Sequence, residues 1–312
     1  MKKLKSLSIV IPCFNEEDTL LESYKELKPI LTFLNKSHVS EHQIVMVNNG
    51  SVDRTLEKML SLKQMDSNIK IVDLRNNFGY QSSISAGLFN ADNDLIISID
   101  ADLQDDPSKI KEMIELHYQG FDMVLGIRED RSTDNFFKRF FAEFFYKISN
   151  LLGIRTEFNH GDFRLMTKDL VNEIEKYPEK NRYLRGIILL IENKYAKVYY
   201  SRRKRQHGYT KFKPFNLISL ALEGITSFSV QPIRLIFLLG FLMFLISIVS
   251  GVYIIYLHFF EKIVVKGWSS TFVLILFLGG VQNIFIGIIG EYISKTYIET
   301  KNRPLYLIRK IY

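Results

Sequence analysis

Residues 100–107, DADLQDDP, set four carboxylates (Asp100, Asp102, Asp105 and Asp106) directly after the apolar run LIISI. Like charge at the end of a buried strand marks either a solvated turn or a place for a cation. Asp100 and Asp102 stand two apart, so both side chains reach one ion if the strand breaks at Ala101. Carboxylate oxygens are hard ligands that favour Mg²⁺ or Mn²⁺, with a substrate diphosphate completing the shell. A lone D-x-D is weak evidence, because acidic turns are common. Asp106 ahead of Pro107 has the form of a helix N-cap with proline at the first helical position.

The elements around this stretch strengthen the cation reading. Five short apolar runs occur in order: LSIVIP (7–12), QIVMVNN (43–49), IKIVDL (69–74), LIISID (95–100) and DMVLGIR (122–128). Helical patterning fills the gaps, over 16–35, 52–65, 80–90 and 107–119. Alternation of this kind predicts an α/β fold with a mainly parallel sheet and right-handed crossovers. Ligands of such sheets bind beyond the carboxyl ends of the strands. That rule selects Pro12-Cys13-Phe14-Asn15-Glu16, the stretch Asn48 to Asp53 with Ser51 as an N-cap, and DADLQDD. G-x-G-x-x-G and Walker lysine loops are both missing, which weakens dinucleotide and P-loop chemistry.

Charge and hydropathy divide the 312 residues unevenly. The formal charge is +7, and between Lys194 and Phe215 eight Lys or Arg occur with no acidic residue. Such a run suits nucleic acid, a membrane surface or a phosphorylated ligand. The apolar segments downstream of it favour the membrane over nucleic acid. Leu235 to Leu257 and Gly267 to Gly290 are uncharged, each long enough for a hydrocarbon core of roughly 30 Å. The positive-inside rule puts both termini in the cytoplasm and the loop EKIVVK outside. Residues 214–231 pattern as an interfacial amphipathic helix. The expected organisation is a cytosolic domain over 1–213, that interfacial helix, a two-helix hairpin over 232–293 and a basic cytosolic tail over 294–312. The opening MKKLKSLSIVIPCF is too short in its apolar run for a signal peptide, and the lone Cys13 excludes an internal disulfide.

Some features point less sharply. Gln282 and Asn283, beside Gly279, Gly280 and Gly287, suit helix packing or oligomerisation. Phe pairs at 136/137, 140/141 and 144/145 form one broad helical face, for a core, a membrane surface or a subunit contact. Arg202, Arg203 and Lys204 are able to attract anionic lipid, and His160 reads as a polar loop residue.

Taken together, SIVIPCFNEE, VNNGSVDRT, LRNNFGYQSSISAGL, DADLQDDP, GDFRLM and RRKRQHGYTKFK resemble the family 2 glycosyltransferases of the GT-A fold. The chain is similar in particular to membrane-bound polyprenyl-phosphate glycosyltransferases, of the bactoprenol glucosyltransferase and dolichol-phosphate mannose synthase type. The resemblance implies that Pro12, Phe14 and Glu16 line the nucleotide site, with Asn49 and Asp53 near base and ribose. Asp100 and Asp102 would hold Mg²⁺ or Mn²⁺ on the donor diphosphate, with Gln104 close by and Arg128 near the phosphates. Arg202, Arg205 and Lys211, within R-x-x-R-x-x-G-x-T-K, would bind phosphate, and Asp162 would face the sugar.

The reaction so implied is inverting transfer of a hexose from a nucleotide sugar, UDP-sugar favoured, to a polyprenyl phosphate at the plasma membrane. A homo-oligomer and a flippase partner belong to the same implication. The family's V-D-D-G-S segment reads V-N-N-G-S here, which leaves the base open. Two other readings remain: a processive polysaccharide synthase, disfavoured because Trp268 lies in no Q-x-x-R-W motif, and a catalytically silent membrane scaffold. Without the resemblance, Asp162 is a loop carboxylate paired with Arg164.

Overall fold

The computed structural model describes residues 4–102, 104–129, 157, 159–180, 182–201, 203, 231–256 and 267–312. It divides into two units, Met1–Ile218 with Asn302–Tyr312, and Ser219–Lys301.

In the first unit every apolar run becomes a strand, because β-branched residues and leucines buried on both faces suit a covered parallel sheet. β1 (Lys5–Cys13) pairs in parallel with β2 (Val39–Asn48) and with β4 (Leu95–Ser98), and β2 with β3 (Ile69–Leu74). Helix α1 (Leu20–Ser37) buries Leu20, Leu27, Leu31 and Leu34, a stripe at helical spacing, in the core cluster beside Ile9 and Ile11. Helices α2 (Thr55–Met65), α3 (Tyr80–Phe89) and α4 (Ile110–Tyr118) follow β2, β3 and β4. Asp106 accepts from the Ser108 N–H at 3.1 Å, capping the short turn Pro107–Lys109 as expected. Ser51 is not a cap. Arg54 stands at the N-cap of α2 with no side-chain cap bond; Asp53 accepts the Thr55 N–H at 3.0 Å, and the Ser51 hydroxyl accepts from the Asn15 N–H.

Beyond β4 the order changes. β5 (Met123–Arg128) does not pair with β4; β6 (His160–Thr167) enters between them, antiparallel to both. β7 (Tyr195–Tyr200) lies parallel outside β5, and β8 (Ile308–Ile311) closes the other edge, antiparallel on β3. The order β7-β5-β6-β4-β1-β2-β3-β8 is a mixed, mostly parallel sheet, in keeping with the α/β fold expected from the sequence. Helices α5 (Lys168–Glu175) and α6 (Leu184–Ile191) connect β6 to β7.

Three strands differ from the sequence expectation. β6 carries charge at buried positions, β7 opens the basic run with a buried-exposed alternation, and β8 lies within what reads as a tail. Residues 294–300 finish one long helix, and Ile308–Ile311 add a sheet edge.

The second unit holds α7 (Gln231–Tyr256) and α8 (Trp268–Thr300). Gln231–Ser250 and Phe277–Thr300 are long and apolar enough to cross a membrane. Phe237, Ile246, Val249, Ile284 and Ile293 are exposed on them, as are Gln282 and Asn283. The interfacial segment 214–230, the Phe-rich segment 135–148, the loop 261–266 and Arg202, Lys204, Arg205 and Lys211 lie outside the described residues.

One glycine sets how closely α3 approaches the sheet. A Cβ on Gly87 would stand 2.3 Å from Val10 Cγ1 and 2.9 Å from Val47 Cγ2. The side chains of β1 and β2 therefore fill the space under α3, and the helix starts at Tyr80, beside the carboxyl ends of those strands. Gly87→Ala should destabilise the unit by about 1–3 kcal/mol through overpacking. Thermal unfolding of the purified variant would show it as a lowered Tm; a Tm equal to wild type would mean that α3 lifts away freely.

Candidate active site

The carboxyl ends of β1, β2 and β4 meet where the parallel register brings them. Buried Cys13, last residue of β1, reports the meeting: burial pushes its thiol up, and Glu16, Asp100 and Asp53 push it further. Three acidic residues from three loops thus surround one strand end. Pro12 is buried opposite Val47, and Phe14 and Glu16 are partly exposed beyond it. Asn15, at φ 53°, accepts the Val52 N–H at 3.0 Å; the Glu16 N–H donates to Thr55 Oγ1 at 2.9 Å and the Glu17 N–H to Asp53 Oδ2 at 3.3 Å. Burial would raise the Asp53 carboxyl, but the Thr55 hydroxyl and the Thr55 and Glu17 N–H groups hold it below its ordinary value. The first two loops are therefore stitched into one surface.

Both asparagines of V-N-N-G-S use donor and acceptor together. Buried Asn48 donates to Asp73 Oδ1 at 2.7 Å and accepts the Ser51 N–H at 3.2 Å. Asn49 donates to Asn77 Oδ1 at 3.1 Å and to the Gly79 carbonyl at 3.2 Å, and accepts the Phe78 N–H at 3.0 Å. An aspartate at either place could only accept. Between the two loops Gly50, at φ +67°, lies so near the Asn76 backbone that a Cβ would stand 2.4 Å from its carbonyl carbon.

The four carboxylates of DADLQDDP divide. Asp105 is buried and accepts from the Tyr200 hydroxyl at 2.5 Å and from Arg128 Nη2 at 3.4 Å. Asp106 caps its turn and accepts from Arg203 Nη2 at 2.9 Å. Arg203 also pairs with Glu26 of α1, and its N–H donates to the Gln104 carbonyl at 3.0 Å, so it clips this loop and is not a free lipid-facing cation. Asp102 accepts the Gln104 N–H at 3.2 Å. Asp100 accepts from the Tyr80 hydroxyl at 2.7 Å. Its side chain keeps some contact with solvent, yet the protein crowds it. Burial, with Asp105, Asp162 and Asp102 adding like charge, pushes its carboxyl up to about 7 against the Tyr80 hydrogen bond.

Asp162 lies on β6, not in a loop. Period-two geometry puts His160, Asp162 and Arg164 on one face, and Phe163 and Leu165 in the core cluster on the other. Arg164, fully buried, pairs with Asp162 Oδ1, as the sequence allows; Arg185 of α6 donates from Nη2 to Oδ2 at 2.7 Å and from Nε to Oδ1 at 3.4 Å. Burial would raise the Asp162 carboxyl, but the two guanidinium groups hold it well below the usual carboxylate range. His160 on the same face is held well below its ordinary value by burial and by Arg164 and Arg185, so it stands neutral. Asp162 is thus a fixed anion and a poor base.

Asp100, Asp102 and Gln104 of the loop after β4 are brought near Asp162 of β6 and Arg128 at the end of β5, and Glu16 and Asp53 to the adjoining surface. Tyr80, Arg185, Tyr200 and Arg203 hold these side chains in place, and sequence reasoning misses all four. Tyr80 and Arg203 fall within the family motifs, yet nothing local marks either as a partner of the acidic loop. Among the described residues no group of three or more His, Cys, Asp or Glu converges to hold a metal alone. The pair Asp100 and Asp102 fits a divalent ion that takes its other ligands from a diphosphate and water. The crowded charge at Asp100 is what such an ion would neutralise.

Residues 8–175 match the model of glycosyl transferase family 2, and residues 231–296 match the GtrB C-terminal hairpin. The uncharacterized glycosyltransferase YkoT of Bacillus subtilis is 43% identical over 309 residues, 97% of this chain and 90% of the relative. The prophage bactoprenol glucosyl transferase homolog of Escherichia coli is 42% identical, over 98% of this chain and 99% of its own. The bactoprenol glucosyl transferase of Shigella phage SfII is 42% identical, over 97% of each. The similarity covers nearly the whole of each chain, and the chain belongs to glycosyl transferase family 2.

Proposed function

We propose that this chain transfers a hexose from a nucleotide sugar, UDP-sugar favoured, to a polyprenyl phosphate in the membrane, with inversion at the anomeric carbon. One observation carries the reading: a carboxylate pair fit for a diphosphate-bound cation stands near an aspartate that two arginines keep ionised. Similarity over nearly the full length to proteins named bactoprenol glucosyl transferases supports the lipid acceptor.

In this reaction an acceptor phosphate oxygen forms the bond to the anomeric carbon as the bond to the donor diphosphate breaks. A phosphate monoester is already largely ionised at neutral pH, so no strong base is required. Asp162 matches that demand: it takes no proton, and its fixed charge is available to orient the acceptor or to answer positive charge at the anomeric carbon. Asp100 and Asp102 would hold Mg²⁺ or Mn²⁺, which supplies charge for the leaving diphosphate. Arg128 stands beside this group, and Arg202, Arg205 and Lys211 are the proposed phosphate contacts from the basic run. Pro12, Phe14, Glu16, Asn49, Asp53 and Gln104 form the donor surface. We place the catalytic unit and both termini on the cytoplasmic side, where the flanking Lys and Arg belong. The lipid-linked sugar would then serve cell-surface glycosylation, with a flippase as partner.

Purified protein in detergent, given polyprenyl phosphate and labelled UDP-glucose, UDP-N-acetylglucosamine, UDP-galactose or GDP-mannose, should move label into the organic phase from one donor. Asp102→Asn should lower that rate by about a hundredfold or more. Folded protein that labels no lipid from any donor would favour the silent scaffold. A second expectation concerns pH. A metal must displace the proton that Asp100 holds up to about pH 7, so Mn²⁺ affinity measured by calorimetry should rise as pH increases through that value. Tyr80→Phe removes a hydrogen bond that lowers the Asp100 carboxyl, and should move the midpoint upward. Affinity independent of pH would sink the assignment of Asp100 as ligand.

A further inference from the structure

Asp73 is fully buried at the carboxyl end of β3, one strand removed from the cleft, and the proposed reaction gives it no part. Its Oδ1 takes the Asn48 amide at 2.7 Å, and its Oδ2 faces Arg309 Nη1 at 3.6 Å. Arg309 comes from β8, the edge strand reached only after α8. It is fixed there a second time, donating from Nη2 to the Arg75 carbonyl at 3.0 Å, while the Arg75 N–H donates to the Leu307 carbonyl at 2.9 Å. On the other side, Asn48 Oδ1 holds the Ser51 N–H, and the Ser51 hydroxyl holds the Asn15 N–H at 3.1 Å. An ion pair and then hydrogen bonds thus run from Arg309 through Asp73 and Asn48 into both loops of the donor surface.

We propose that Asp73 and Arg309 are positioning residues for the nucleoside diphosphate of the donor, so that the C-terminal edge strand is a working part of the donor site. The inference rests on the donor surface assigned under the proposed function. A buried carboxylate orients the Asn48 amide by charge: its nitrogen must face Asp73, which turns its oxygen to the Ser51 N–H. The amide is thereby spent inside the protein and does not read the base. Its task is to hold residues 48–53 in the shape that receives the nucleotide. Arg309 answers the charge of Asp73 from a half-exposed position, so its share is the smaller one.

The pairing predicts a reciprocal exchange. Asn48→Asp sets two carboxylates at hydrogen-bond distance, whereas Asn48→Asp with Asp73→Asn restores one amide and one carboxylate with their roles reversed. Binding of UDP and of GDP to the full chain in detergent would be measured by calorimetry, with Tm recorded for each variant. Asn48→Asp should weaken nucleotide binding about tenfold, the scale of one charged hydrogen bond, and the double variant should recover most of that loss. Arg309→Ala, a surface change that keeps the fold, should weaken it a few-fold and raise KM for the donor without changing kcat or KM for the lipid acceptor. Rescue absent in the folded double variant, or unchanged binding in both Asn48→Asp and Arg309→Ala, would overturn the inference. Wild-type protein that binds neither nucleotide would instead remove the donor reading itself, and the positioning role with it.

Discussion

A carboxylate can be buried only if its charge is answered, and Asp162 is answered twice. Arg164 meets it from within β6 and Arg185 from α6, so three charges settle as one unit. Removing one member of such a group typically costs about 3–5 kcal/mol, because the others are left buried without a partner. The position of β6 follows from the same need. Lying antiparallel between β4 and β5, it presents His160, Asp162 and Arg164 along one face while Phe163 and Leu165 fill the core on the other. The Ser98 hydroxyl at the end of β4 donates to the Asp162 carbonyl, tying the row to the strand that leads into DADLQDDP. The metal-fitting pair, in the loop that follows β4, and the fixed anion on β6 are therefore tied together through adjacent strands.

This arrangement explains what is legible in the sequence. β1 to β5 announce themselves as short apolar runs because each is buried on both faces, and the rule about strand ends then finds the right loops. β6 hides for the opposite reason. Asp162 and Arg164 are polar letters in a buried strand, and only their mutual pairing, a fact of three dimensions, lets them stay there. Arg185 hides more fully, since a single arginine in NRYLRG carries no local mark of the carboxylate it meets 23 residues away in sequence. Arg203 misleads for a related cause. In a basic run it looks like one more surface cation, yet Glu26 and Asp106 claim it.

The departure from the family's V-D-D-G-S pattern is resolved in the same terms. With Asp73 buried beside position 48, an aspartate there would set two carboxylates against each other, whereas asparagine supplies the missing donor. At position 49 the amide nitrogen meets Asn77 and Gly79 while the oxygen meets the Phe78 N–H, a pattern that only an amide completes. The two substitutions therefore keep the loops that shape the surface, and the silent-scaffold reading loses its main support.

The four carboxylates of residues 100–107 show how one short acidic stretch serves two ends. Asp105 and Asp106 are consumed by the protein: Tyr200 and Arg128 take the first, and the Ser108 N–H and Arg203 take the second. Those bonds fix a loop that would otherwise be driven apart by its own charge. Asp100 accepts from the Tyr80 hydroxyl, a neutral group that brings it no positive charge. The loop cannot relax to separate the carboxylates, because Arg203 clips it to α1. Like charge held together in this way raises the affinity of Asp100 for whatever positive partner arrives, a proton or a metal. The structural pair thus creates the crowding that, in the proposed reading, the other pair would use to hold a cation.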